Sequence, residues 1–365
     1  MTMVISGSDG VTFPDSTNQY SGGAFSFKNR IINGDMRIDQ RNAGASVTLT
    51  AGGIYTVDRW QGVEDTDGAM TAQQDTSTPA GFINSVKCTT TTADGTLTTT
   101  QNVQFRQAIE GLNVADLAWG TANAKTVTLS FWVRSSLTGT FGGSLRNSAV
   151  NRSYPFTYSI SVADTWEQKS VTIAGDTSGT WLTTNGIGVT LTFSLGAGPD
   201  RVGTAGAWAG ANYTGATGET SVIGTLNATW YITGVQLEVG SVATPFERRP
   251  YGTELMLCQR YYWVYTSSNN YIGILQAYSS SAVYGVLVNI PVTMRATPSV
   301  SQSGNFDGYR ADSSNASLNT TIGSLGTNGQ NILTADWGGG SGLTAGHAVV
   351  FYGTTGAKLI ASAEL

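Results

Sequence analysis

The chain has 365 residues, 12% of them charged and 40% hydrophobic, with a formal net charge of −5. That length exceeds one ordinary core, so two or three domains are expected, and so hydrophobic a chain with so small a net charge is not disordered. An acidic balance without Lys/Arg runs excludes nucleic acid as the main partner, and no apolar run approaches the ~20 residues that membrane insertion by a helix needs.

Thr, Val, Tyr and Trp favour pleated strands, and the 46 glycines supply turns, so the chain reads as all-β. Residues 1–24 are rich in Gly and Ser, with scattered Val4, Ile5, Val11 and Phe13 and no sustained period. They are expected to form a flexible tail or a short attachment arm that orders only against a partner. They lack the basic start and apolar core of an export signal, so folding in the cytoplasm is expected. Phe25, Phe27, Ile31 and Ile32 form strand-like runs, and Asn33-Gly34 signals a turn because both residues tolerate positive φ. Val47, Leu49, Ile54, Tyr55, Val57 and Trp60 continue the strand pattern. Residues 85–101, SVKCTTTTADGTLTTTQ, read as a hairpin of two Thr-rich strands around Asp94-Gly95.

Residues 104–119 are expected to be a helix-containing insert, since Phe105, Ile109 and Leu112 fall at helical spacing before and after Gly111. Val127, Leu129, Phe131 and Val133 then alternate with Thr128, Ser130, Trp132 and Arg134, and residues 187–195 repeat the alternation. Phe156, Tyr158 and Ile160 make a third strand, and Val171 with Ile173 a fourth. Regular short strands with one polar face are what a two-sheet sandwich requires. Residues 196–221 form a long Gly/Ala-rich loop carrying Asp200, Arg201, Trp208 and Tyr213, and loops of that length are often functional.

A strand follows in which Tyr231, Val235 and Leu237 share one face and Ile232 takes the other. Pro245 and Pro250 bracket an exposed charged link, Glu247-Arg248-Arg249, after which Thr253 caps a short helix. Beyond Tyr261-Tyr262-Trp263 the β pattern resumes at 271–278, 283–290, after Pro298, at 348–352 and at 357–361. The expected division is an arm at 1–24, a jelly-roll β-sandwich at 25–248, a hinge with a short helix at 249–262, and a smaller C-terminal β-sandwich at 263–365. The last would serve as a receptor-binding or trimerisation tip.

The strings NRIINGDMRIDQRNAG, TLSFWVRSS, GDTSGTW and ITGVQLEVGSVATPFERRPYGTELMLCQRYY carry a resemblance. They resemble a block of tail fibre and related structural proteins of tailed bacteriophages, over residues 29–262. The same block is similar to jelly-roll carbohydrate-binding modules, which open on an Asn-Gly turn and close on a strand like Ile232, Val235, Leu237, Glu238. PVTMRATPSV and LIASAEL are similar to terminal domains of such fibres, though both strings are short. The resemblance implies a homotrimer, other virion tail proteins as partners, and a host-surface glycan as ligand. Modules of this kind often hold a structural calcium, but Arg37 stands where the early acid is expected and Thr233-Gly234 occupy the last strand, so no cofactor is expected.

Catalysis has little to rest on. His347 is the only base for a Ser-His-Asp arrangement and reads as structural, and Asp65 with Asp67 is the one carboxylate pair worth naming for glycoside hydrolysis. Cys88 and Cys258 read as buried reduced thiols, and one His with two distant Cys makes no zinc site. Binding fits better, because sugars stack C–H-rich faces on aromatic rings while their hydroxyls need directional partners. Trp132 and Arg134 share the outward side of one strand, Trp208 and Tyr213 sit in the long loop, and Tyr309 and Trp337 lie in the last domain; these six are the glycan-binding candidates. The opposing expectation for Trp132 is a face covered by residues 104–119 or by a neighbouring subunit, while Trp60, Trp166, Trp181 and Trp230 read as packing. A low-charge Gly/Thr/Ser surface favours assembly. Three functions therefore stand: a non-enzymatic virion appendage that attaches to host glycans, a purely structural or decorating virion protein, and a carbohydrate-binding module of a surface adhesin.

Overall fold

A computed structural model describes residues 27–280, 282–310, 324–327, 329–338 and 344–365, together with the strand backbones at 4–6, 10–12 and 18–19; at 286–287, 307–310, 324–326, 333 and 335–338 it describes the backbone alone. Three short strands, β1 (Val4–Ser6), β2 (Gly10–Thr12) and β3 (Asn18–Gln19), pair antiparallel at the N-terminus. The main body uses β4 (Val47–Thr48), β5 (Ile54–Val57), β6 (Trp60–Glu64), β7 (Ala69–Asp75), β8 (Ser85–Thr92), β9 (Asn102–Glu110) and β10 (Val127–Ser135). It continues through β11 (Gly139–Arg146), β12 (Ser153–Ile160), β13 (Glu167–Ile173), β14 (Ile187–Ala197), the two-residue β15 (Val202–Gly203) and β16 (Gly215–Ala216), and β17 (Thr229–Val239).

These strands form two six-stranded antiparallel sheets, ordered β13-β10-β17-β8-β7-β4 and β12-β11-β14-β9-β6-β5. The inward residues of both sheets close on an aromatic core. Phe131 meets Phe193 and Tyr158 edge-on at 4.9 and 5.0 Å, and Trp60 stacks on Phe105 at 5.0 Å with planes 2° apart. The chain is all-β, a jelly-roll sandwich followed by a smaller one. The smaller one uses β18 (Tyr262–Thr266), β19 (Tyr271–Ala277), β20 (Ala282–Asn289), β21 (Ser299–Ser303), β22 (Phe306–Arg310), β23 (Ser324–Thr327), β24 (Ile332–Gly338), β25 (Ala348–Gly353) and β26 (Lys358–Ser362). These make a three-stranded sheet, β18-β26-β21, and a six-stranded sheet, β22-β25-β19-β20-β24-β23, around a second core that includes Trp263, Leu275 and Phe351.

Several local expectations are corrected. Residues 104–119 hold no α-helix: β9 runs through the second sheet and ends in two 3-10 turns, Gly111–Asn113 and Ala115–Leu117. A spacing of four fits a strand as well as a helix, and Val103, Phe105 and Ile109 point into the core at period two. Asp94-Gly95 makes no two-residue hairpin, because β8 pairs with β7 and β17 while the chain crosses to the other sheet at β9. Asn33 does take positive φ (56°), but its side chain ties Ile38 and Asp58 together in an irregular buried segment rather than joining two strands. On β17 the core receives Trp230 and Ile232, then Val235 and Leu237, so Tyr231 faces outward. The parity changes across Gly234 (φ 63°), opposite a register shift between Ser130 and Trp132 on β10.

The link after β17 is docked rather than exposed. Arg249 is buried, donating to the carbonyls of Ile31 and Asn29 and pairing with Glu254 and Glu247, and only Arg248 of the three stays exposed. The helix α1 (Tyr251–Gln259) begins after Pro250, with Thr253 inside it and no side-chain cap. Proline's fixed φ serves as the entry, which leaves Glu254 free to accept the Asn33 amide. The two bodies are joined on one side by Glu110, which accepts from Arg260 at 2.7 Å and from the Tyr261 hydroxyl at 2.6 Å. Arg41 and Arg59 of the first body both pair with Glu364 of the second.

Candidate functional site

The alternation of β10 puts Trp132 and Arg134 on the outer face of the first sheet, both half-buried. A Cβ on Gly234 of the neighbouring strand would lie 2.7 Å from the Phe82 ring and 3.2 Å from the Trp132 ring. Glycine is what leaves room for both rings over this part of the sheet. Phe82 comes from the β7–β8 connection and meets Phe246 edge-on at 5.3 Å, with the exposed Arg248 guanidinium 4.6 Å over the Phe82 ring. On the other side of Trp132, Arg134 lies 4.9 Å over Tyr231 and donates to the Ser77 hydroxyl and to Asp164. Tyr231 in turn meets Trp166 edge-on at 6.1 Å. The result is two ring pairs beside Trp132, Phe82 with Phe246 under Arg248 and Tyr231 with Trp166 under Arg134, suited to stacking a sugar face while the cations and nearby hydroxyls take its hydroxyl groups.

The cover expected from residues 104–119 is not on this face, since β9 belongs to the second sheet. What covers part of it is the chain's own exit. Thr128 donates to the Gly240 carbonyl at 2.8 Å, and Thr128 and Ser130 are buried, so the open part of the face lies around Trp132 and Arg134.

The long loop places its aromatics differently. Trp208 packs edge-on against Trp119 and Trp181, at 5.3 Å each, and donates its indole N–H to the Ala174 carbonyl. That arrangement gives Trp208 a packing duty. Tyr213 lies against Gly203 of the same loop, where any side chain would collide with its ring. Tyr309 pairs with Val350 and Trp337 with Val283 in the strand ladders, but their side chains lie outside the described residues. Among the four whose side chains are described, Trp132 and Arg134 share one face while Trp208 and Tyr213 pack elsewhere.

A second polar surface escaped sequence reasoning. On the outer face of the second sheet the register aligns Gln61, Arg106, Thr192 and Ser144 in one cross-strand row, and Ala108, Thr190 and Arg146 in the next. Arg146 donates to Asn212, Gln104 and Thr192, and Arg106 grips the Gln61 amide oxygen through two N–H groups at 2.9 and 2.7 Å. A cavity of about 120 Å³ opens beside Arg106 and Arg146, bounded by Tyr55, Arg59, Asn147 and Thr190. Residues 104–119 carry the spacing of a helix-containing insert and β11, Gly-rich at Gly142-Gly143, has no apolar alternation, so nothing in the sequence aligns these arginines.

On the same face Glu219 accepts from Ser194 and from the Ala216 amide, and burial pushes its carboxyl up to about 7. A carboxyl raised above its ordinary value holds its proton in the folded state. Its stabilising contribution is complete below pH ~4.5 and is lost as pH rises through 7. Chemical denaturation should therefore show stability declining by on the order of 2 kcal/mol from this group between pH 5 and 8, and Glu219→Gln should flatten that decline. An unchanged slope in the variant would remove Glu219 as its source.

The carboxylates considered for chemistry or metal have structural partners. Asp65 accepts from the amide and side chain of Asn102. Asp35, which does follow the Asn-Gly turn, pairs with Arg37 at 2.5 Å, and Glu238 accepts from Thr244 with the Lys28 ammonium 3.9 Å away. Among the described residues no group of three or more His, Cys, Asp or Glu side chains is placed to hold a metal ion. Cys88 and Cys258 are both free and buried.

No protein-family model matches the sequence, and no curated protein does. Solved structures of similar fold include the enzymatically active domain of Bacteriophage CBA120 tailspike protein 4, at 13% identity and TM-score 0.31 over 58% of this chain. The match spans only 22% of that tailspike chain. The family 11 carbohydrate-binding module of the Clostridium thermocellum cellulase Lic26A-Cel5E matches at 11% identity and TM-score 0.27, over 56% of this chain and all of that one. The module TmCBM61, solved with β-1,4-galactotriose, matches at 9% identity and TM-score 0.26, over 50% of this chain and 88% of its own.

Proposed function

We propose that the chain is a non-enzymatic component of a tailed-phage appendage that attaches the virion to a host-surface glycan. The observation that carries the reading is half-buried Trp132 beside the Phe82–Phe246 pair, with the Arg248 guanidinium over Phe82 and the Arg134 guanidinium over Tyr231. Rings held over a sheet by a glycine are preorganised, so binding a sugar orders little of the protein. Binding is without turnover, and repeated copies multiply weak contacts through effective concentration. In this reading residues 1–24 attach to other tail proteins and the chain works as a homotrimer. Tyr271, Ile274 and Tyr284, exposed on the outer face of the C-terminal sheet, fit contacts between copies, which is also what a purely structural virion protein would use.

Trp132→Ala should weaken retention on immobilised host surface polysaccharide about tenfold, the loss of one stacking contact of ~1.4 kcal/mol, and leave the melting temperature within a few degrees of the parent. Equal retention by variant and parent would overturn the site.

A further inference from the structure

We infer that the outer face of the second sheet carries a separate site for the oxyanion group of an acidic saccharide, bound between Arg106 and Arg146. The observation is uncompensated charge. Arg30, Arg37, Arg41, Arg59, Arg134, Arg152, Arg249 and Arg260 each have a carboxylate within 4.0 Å, whereas among the described residues Arg106, Arg146, Arg201, Arg248 and Arg295 have none, and of these five only Arg146 is buried. Arg146 is only 4% exposed, and its Nε finds no acceptor. In the adjoining row the Ser144 hydroxyl is also buried without a partner. Burying a guanidinium with no carboxylate beside it is costly, so a face that sets the buried Arg146 one row from the half-buried Arg106 is suited to an anion that arrives from outside. Burial and the Arg106 charge push the pKa of Arg146 down, the strain an incoming anion would relieve.

The dimensions agree. The cavity of about 120 Å³ holds roughly four waters' worth of liquid volume, enough for a carboxylate and the edge of its ring. Beside the guanidinium groups stand the Gln61 amide and the Thr190 hydroxyl, which offer a donor and an acceptor to ring hydroxyls, while Tyr55 and Ile187 give an apolar rim. This site lies on the other sheet from Trp132 and does not depend on it.

Calorimetric titration of the full chain with an oligogalacturonate, a neutral galactose oligomer, and inorganic phosphate and sulfate separates the sources. The oligogalacturonate should bind, at least tenfold more weakly as NaCl rises from 50 to 500 mM, and at least tenfold more weakly to Arg106→Gln. If Arg106→Gln is not folded by circular dichroism, Gln61→Ala, which keeps the cation but removes the group that orients it, should weaken binding several-fold. Failure of the oligogalacturonate to bind, or equal binding of the neutral oligomer, would overturn the proposal. Phosphate or sulfate bound as tightly as the oligogalacturonate would overturn a saccharide as the ligand.

Discussion

Trp60→Ala is expected to lower the unfolding free energy by about 3–5 kcal/mol, the usual cost of emptying a fully buried aromatic site. Trp60 is fully buried, stacked on Phe105 at 5.0 Å and within 6.4 Å of Phe193, so its ring joins the faces of three strands of one sheet. It also donates its indole N–H to the Asn33 carbonyl at 3.0 Å, which ties the irregular segment before β4 to the sandwich. Truncation therefore leaves a cavity and a buried carbonyl without its donor. Trp60→Phe should cost less because it keeps most of the ring and loses only the hydrogen bond and part of the volume. Urea unfolding followed by tryptophan emission and circular dichroism measures both. A loss under 1 kcal/mol for Trp60→Ala would mean that the core is not organised around this ring.

Glu254→Ala is expected to cost about 3 kcal/mol although it lies at the junction rather than in either core. Its carboxylate is 3.4 Å from Arg249 and accepts the backbone N–H of Asn33, and both side chains of the pair are about 5% exposed. Removing it leaves the buried guanidinium with Glu247 as its one carboxylate and strands a buried amide, and breaking a buried pair from one side costs more than deleting the pair. Burial pushes the Glu254 carboxyl up, against the pull of Arg249, so Glu254→Gln, which keeps an acceptor, should be milder than Glu254→Ala. The double variant Arg249→Met/Glu254→Leu should be no less stable than Glu254→Ala. Additive losses in that cycle would show that the two side chains act independently.

Strand alternation made the first sandwich legible. Val127 to Val133 and Val189 to Leu195 carry the core at period two, and the observed sheets use them that way. The long-range geometry was not legible. Whether β8 pairs with a following Thr-rich strand or with β7 and β17 depends on a crossover that local turn chemistry does not encode. The parity change on β17 comes from one bulge at Gly234, and it moved Tyr231 from the inner face to the outer one. The site followed the same division. Trp132 and Arg134 were found because they sit on one strand, while Phe82, Phe246 and Arg248 reach them from other segments. Arg106 and Arg146 meet only through the register of three strands, two of which were not recognised.

The central claim is that a glycan stacks on Trp132. The most direct measurement is the indole N–H spectrum of the ¹⁵N-labelled chain, with the Trp132 signal assigned through Trp132→Phe, recorded while a host surface oligosaccharide is added. The account predicts a saturable shift at Trp132, with the buried Trp60 and Trp230 signals unmoved. Saturable binding that leaves the Trp132 signal in place would contradict it.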